Sequence, residues 1–202
     1  MKHLRDFVSH SSVWIMGLLF LSCFAFVAGR GGLAAGSVWL LIALGAVLFL
    51  ISEYLTHRFL FHMKPPKHPV LLKMMKKLHY DHHELPNDLN LLFLPVWYSI
   101  PNYGLLGVIT YLLTSDPMSA FAVVSGAIGM LLYYEWVHFV AHRPIKPLTA
   151  WGRWMKKVHQ WHHYKNENYW FGVSNPSMDY LIGTFKQEKG VELSPTARKL
   201  QG

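Results

Sequence analysis

Four stretches of this chain run without a single Asp, Glu, Lys or Arg: Phe7 to Gly29, Gly31 to Ser52, Leu89 to Ser115 and Pro117 to Tyr134. Crossing a hydrocarbon core of about 30 Å takes roughly 20 residues of helix, so the pattern predicts four membrane-spanning helices. Pro95, Pro101 and Asn102 interrupt the third run. A spanning helix tolerates prolines where neighbouring helices satisfy the freed carbonyls. Between the runs lie polar, turn-rich loops, "MKPPKHP" from Met63 and "HRPIKPL" from His142, whose prolines end the long helices soon after they leave the bilayer. The segments from Val70 to Leu78 and from Thr149 to Trp161 read as short helices. Leu71, Leu72, Met75 and Leu78 give the first of these an apolar face for the membrane interface. After His163 no further span follows, and the stretch 187–202 reads as a polar, frayed tail.

Composition agrees with this picture: 52% of the 202 residues are hydrophobic and only 15% are charged, which is too apolar for an ordinary soluble domain. A net charge of +8 is compatible with binding nucleic acid, but the positions of the charges decide against it. Of 19 Lys and Arg, only Arg30 falls in a loop that four spans place outside, the positive-inside arrangement of a chain with both ends in the cytoplasm. The basic face also suits attraction to anionic lipid and the steering of an acidic redox partner. The basic start and first apolar run resemble a signal peptide, but the run is long for one and favours a retained helix. The lone Cys23 supports neither a disulfide framework nor a thiolate metal site.

The chemistry lies in the histidines. Ten of the thirteen fall in four clusters: His57 and His62; His79, His82 and His83; His138 and His142; His159, His162 and His163. "KKLHYDHH" and "KKVHQWHH" are near-duplicates, each preceded by a histidine pair at the end of an apolar run. The chain therefore reads as one domain over 1–202 with two pseudo-repeated halves, about 7–87 and 89–186. Two crossings separate the copies, so all four clusters emerge on one membrane face.

Residues three or four apart share a helix face, so each H-x-x-H-H cluster, and the His138/His142 pair, can present imidazoles together. His57 and His62 are five apart, roughly 140° around an ideal helix. They either serve different metals or sit where the helix has begun to unwind. Ten imidazoles exceed the four to six ligands of one first-row ion, so two metals is the simpler expectation. Nitrogen donors without thiolate suit iron, zinc, copper or nickel. Glu53 and Glu135 stand just before His57 and His138, placed to accept the ring N–H of a ligating histidine. The opposing reading puts both glutamates at the membrane boundary facing water. His3, His10 and His68 have no counterpart in the other half and read as bystanders.

"HRFLFH", "HYDHH", "HFVAH" and "HQWHH", with "FGVSNPSMDYLIGTF" after the last cluster, resemble the fatty acid hydroxylase superfamily of integral membrane oxygenases, and its fatty acid 2-hydroxylase branch most. The resemblance covers about residues 50–186. It implies an all-α fold: a bundle of about four transmembrane helices under a cytoplasmic cap of short helices carrying the clusters. It further implies two iron ions held by His57, His62, His79, His82, His83, His138, His142, His159, His162 and His163, with zinc as an alternative occupant of purified protein and O2 as co-substrate. The implied reaction is hydroxylation of a fatty acyl chain at C2. The cytochrome b5 domain that some 2-hydroxylases carry is not seen in this sequence, so the expected donor is a separate protein of cytochrome b5, ferredoxin or reductase type. The expected location is the bacterial inner membrane or the endoplasmic reticulum. Two alternatives stay open: a related oxygenase or desaturase of sterols, carotenoids or alkanes, and a membrane zinc-binding or metal-transport protein.

Overall fold

The computed structural model describes residues 2–201, and among them all regular structure is helical. In chain order the helices are α1 Lys2–Val8, α2 Ser11–Gly29, α3 Gly36–Leu55, α4 Pro69–Met75, α5 Asp81–Glu84, α6 Leu89–Leu92, α7 Val96–Thr114, α8 Pro117–Ala141, α9 Ala150–Tyr164 and α10 Ser177–Ile182. Four segments are long and apolar enough to cross a membrane: Ser11–Gly29, Gly36–Phe61, Leu89–Thr114 and Pro117–Ala141. The third contains the two prolines that interrupt its sequence. Pro95 caps the start of α7 in extended conformation, where its missing N–H costs nothing, while Pro101 lies inside the helix.

Contacts divide the chain into two compact units, Met1–Leu50 with Leu94–Glu135, and Ile51–Phe93 with Trp136–Gly202, so that the boundaries fall within α3 and near the end of α8. In the first unit α8 is the central helix: 61% of its apolar window is buried, against 17% for the third span. Its crossing with α3 is reciprocal and close. A Cβ on Gly45 would meet the Val123 carbonyl at 1.9 Å, and one on Gly126 would meet the Ile42 carbonyl at 1.9 Å. Backbones approach this closely only where side chains are absent, the way membrane helices pack without a hydrophobic drive between them. On its other sides α8 receives the Phe20 ring against Gly129 and faces Gly107 of α7 through Val124.

The second unit holds all four histidine clusters. Pro69 occupies the first turn of α4, and from Met75 the chain continues through a π-helical turn, Lys76–Tyr80, into α5. On α9, Thr149 accepts the Gly152 N–H at 3.0 Å as its N-cap, and Met155, Val158, His159, His162 and His163 form the buried face. Lys156 Nζ donates to the carbonyls of Val140, Arg143 and Ile145 at 2.9, 2.6 and 2.9 Å, fastening α9 to the end of α8 and to the loop that follows it. The expectation of a frayed tail is corrected here. Ser194 N–H donates to Lys165 O at 2.8 Å, Thr196 Oγ1 donates to Glu167 Oε1 at 2.6 Å, and Val191 and Ala197 are buried. The polar composition concealed these anchors because backbone groups make several of them.

Candidate metal centre

The spacing of five between His57 and His62 is resolved by a local change of helix. Thr56–Phe61 is a π-helical turn that extends α3, and the His62 N–H donates to the His57 carbonyl, an i to i+5 bond of 3.2 Å. The wider turn absorbs the extra residue and returns both rings to one face. Four residues do the same in the ordinary α-helix between His138 and His142.

The ten clustered histidines converge as two sets of five. His57, His62, His79, His83 and His162 form the first, and His82, His138, His142, His159 and His163 the second. In each, the candidate ligand atoms all lie within 4.8 Å of one another. The i, i+4 members of each triplet stay with the pair that precedes them, while the residue between points the other way. His82 thus joins the second set, and His162 the first. The sets adjoin where the His83 and His163 rings stack at 4.1 Å.

Distances within a set are those of donors around an ion. In the first set Nε2–Nε2 separations are 3.2 Å for His57–His79, 3.3 Å for His57–His62, 2.9 Å for His62–His79, 3.0 Å for His79–His83 and 3.1 Å for His62–His162. In the second, His82–His138 is 3.0 Å and His142–His159 is 2.9 Å. Two nitrogens at about 2.0–2.1 Å from one ion stand about 3 Å apart at a right angle and about 3.4 Å at the tetrahedral angle. Hydrogen bonding between the rings does not account for the first set. The Nδ1 atoms of His57, His83 and His162 face the carbonyls of Phe171, Ala197 and Tyr169, the last two at 2.7 and 2.8 Å. A carbonyl only accepts, so each Nδ1 carries the proton and each Nε2 turns a lone pair into the set. Converging lone pairs repel unless a cation lies among them.

Electrostatics agree. Burial holds the His62, His79, His82, His142, His159, His162 and His163 imidazoles well below the ordinary histidine value, and neighbouring imidazoles add to the effect. Burial takes His83 down to about 3, against the opposing influence of its bond to Ala197. The rings are therefore neutral, the form that ligates. His163 is fully buried, and neither of its ring nitrogens has a hydrogen-bond partner among the described residues, a costly arrangement that ligation of one nitrogen relieves. The donors fit a first-row transition ion in each set.

The two glutamates do not reach imidazoles. Glu53 Oε1 accepts the N–H groups of Val173 and Ser174 at 2.7 and 2.9 Å, and its Oε2 accepts from the Ser174 hydroxyl. Glu135 Oε1 accepts the Leu94 N–H at 2.9 Å, where α6 gives way to α7. Both are buried rather than facing water. The groups that orient rings are backbone carbonyls, which any residue supplies and no motif announces. Asp179 is a further residue that spacing arguments missed: fully buried, it accepts the N–H groups of Phe171 and Gly172 at 2.9 and 2.7 Å and the Thr184 hydroxyl at 2.6 Å. An acid two residues after "NPS" in an apolar stretch is the one signal that could have marked it. The three excluded histidines lie outside both sets. His10 Nδ1 caps α2 by accepting the Ser12 N–H, His3 lies 3.9 Å from Asp6, and His68 precedes α4.

Four membrane-length helices and ten histidines in two nitrogen-only sets define a class: integral membrane proteins with paired histidine-rich metal-binding groups. Within that class the family model for fatty acid hydroxylase matches residues 42–184, and the chain belongs to this family. Human fatty acid 2-hydroxylase is 32% identical over 151 residues, covering 74% of this chain and 40% of its own length. A dihydroceramide fatty acyl 2-hydroxylase of Arabidopsis thaliana is 26% identical over 183 residues, covering 89% of this chain and 76% of its own. A solved structure described as full-length scs7p, with only the hydroxylase domain visible, superposes with a TM-score of 0.77 at 26% identity, covering 90% of this chain and 69% of that one. The chain thus spans about two fifths of the length of its human relative.

Proposed function

We propose that this protein hydroxylates a fatty acyl chain at C2, the carbon beside the carbonyl, with O2 as oxidant and one iron ion in each histidine set. The observation that carries this reading is the pair of five-nitrogen sets, in a chain of this family. One atom of O2 enters the C–H bond and the other leaves as water, with two electrons and two protons supplied through a separate donor of cytochrome b5, ferredoxin or reductase type. Bound iron supplies the dioxygen reduction and C–H oxidation; zinc would fill the same donors without redox capacity.

The chain's own residues hold ten neutral imidazoles in fixed orientation and exclude water, since all but His62 are buried. Sets this complete and enclosed favour a resident ion over a transported one. The names of the human and Arabidopsis relatives support C2 as the position and a lipid acyl chain as the substrate. The one-sided basic residues support a cytoplasmic orientation of the clusters, in a bacterial inner membrane or endoplasmic reticulum.

Expression with a reductase under labelled O2, in a host without hydroxylated lipids, tests the proposal. Mass spectrometry is expected to find 2-hydroxyacyl groups carrying one labelled oxygen, and feeding free acid against ceramide separates the two substrate forms. A chain carrying two irons that yields no oxygenated acyl product would overturn it.

A further inference from the structure

The two histidine sets share one residue type but are supported unequally. In the first, three of five rings donate Nδ1–H to backbone carbonyls, and all three carbonyls belong to the segment Tyr169–Ala197: Tyr169 for His162, Phe171 for His57 and Ala197 for His83. In the second, His138 has a backbone partner at Leu92, but His82 Nδ1, His159 Nδ1 and both nitrogens of His163 have none among the described residues.

The segment is itself held rigidly. Four consecutive amides, Phe171 to Ser174, are taken up by two buried carboxylates, Asp179 for the first two and Glu53 for the last two. Gly172 leaves no room for a side chain there, since a Cβ would stand 2.2 Å from the Asn175 carbonyl. Trp170 is held at φ 58°, a conformation few residues other than glycine adopt, with its ring buried and its Nε1–H donating to Lys186 O at 3.0 Å. Farther on, the links from Ser194 to Lys165 and from Thr196 to Glu167 anchor the strap that carries Ala197. This strap, residues 185–197, lies beyond residue 184, where the family match ends.

We propose that Tyr169–Ala197 is a positioning scaffold for the first set alone, which makes the two metal sites unequal: the first retains its ion, and the second exchanges it. The inference rests on the reading of both sets as metal sites. A ring whose Nδ1–H meets a fixed carbonyl is locked in tautomer and orientation, and loss of such partners costs about 10–100-fold in metal affinity.

The test is the release of Zn2+, used as the probe metal, from the full-length protein into excess chromogenic chelator. Two phases of one equivalent each are expected, separated by about tenfold or more in rate. His82→Ala removes the fast phase, His162→Ala removes the slow one, and His68→Ala changes neither. Asp179→Asn, which loosens the scaffold without touching a ring, accelerates the slow phase about tenfold and spares the fast. Thr196→Val, which loosens only the strap, acts in the same direction to a smaller degree and serves if Asp179→Asn does not fold. Release in a single phase, or scaffold substitutions that alter both phases alike, overturns the proposal. A chain that takes up no Zn2+ instead overturns the reading of the sets as metal sites.

Discussion

An imidazole has two nitrogens with separate tasks, and here the nitrogen facing away from a set often decides what the facing one can do. Single substitutions should therefore divide the histidines sharply. His82→Ala and His162→Ala each remove one donor from a set and are expected to abolish acyl hydroxylation, while His68→Ala retains it; product and metal content measured together check this. The partition into ten clustered histidines and three bystanders was legible in spacing alone. The allocation of rings to sets was not, because adjacent residues such as His82 and His83 point apart only once the helix axis is placed. Glu53 shows the same limit. Its proximity to His57 in sequence suggested a direct bond, whereas its carboxylate secures two amides of the loop that presents the Phe171 carbonyl. Glu53→Ala leaves both amides buried without an acceptor and is expected to cost about 1–3 kcal/mol for each, with Glu53→Gln milder; denaturant unfolding of the metal-free protein in detergent measures the difference.

Among the elements, the π-helical turn at Thr56–Phe61 was the least foreseeable. A five-residue interval is off-face on an ideal helix, and only the change from i+4 to i+5 bonding makes it equivalent to the four-residue interval of His138 and His142. The turn accommodates one inserted residue. Deleting Phe59, whose side chain is largely exposed, should restore an ordinary helix, keep His57 on the face of the following histidine and preserve the metal content; loss of one equivalent would show the wider turn to be necessary in itself. The long apolar helices and α9 were legible because periodicity and absence of charge are repeated over many residues. The strap was illegible because its hydrogen bond to His83 uses the carbonyl of an alanine.

Across the whole molecule, the close crossing of α3 and α8 depends on two glycines that composition could not single out among fifteen. Gly126→Ala places a methyl group where the Ile42 carbonyl lies, and the required separation of the helices is expected to cost about 1–3 kcal/mol, read as a lowered Tm in detergent. The division into two compact units also departs from the repeat, since each unit draws on both halves of the chain. The exchange of His82 and His162 between the sets has a bearing on biosynthesis. A ribosome delivers His57, His62, His79 and His83 long before His162, and the carbonyls that orient three of the five rings come later still or alongside it. For that interval the nascent chain holds an unfinished set of five rings, which is complete and oriented only once the stretch from His162 to Ala197 has been made and has closed around it.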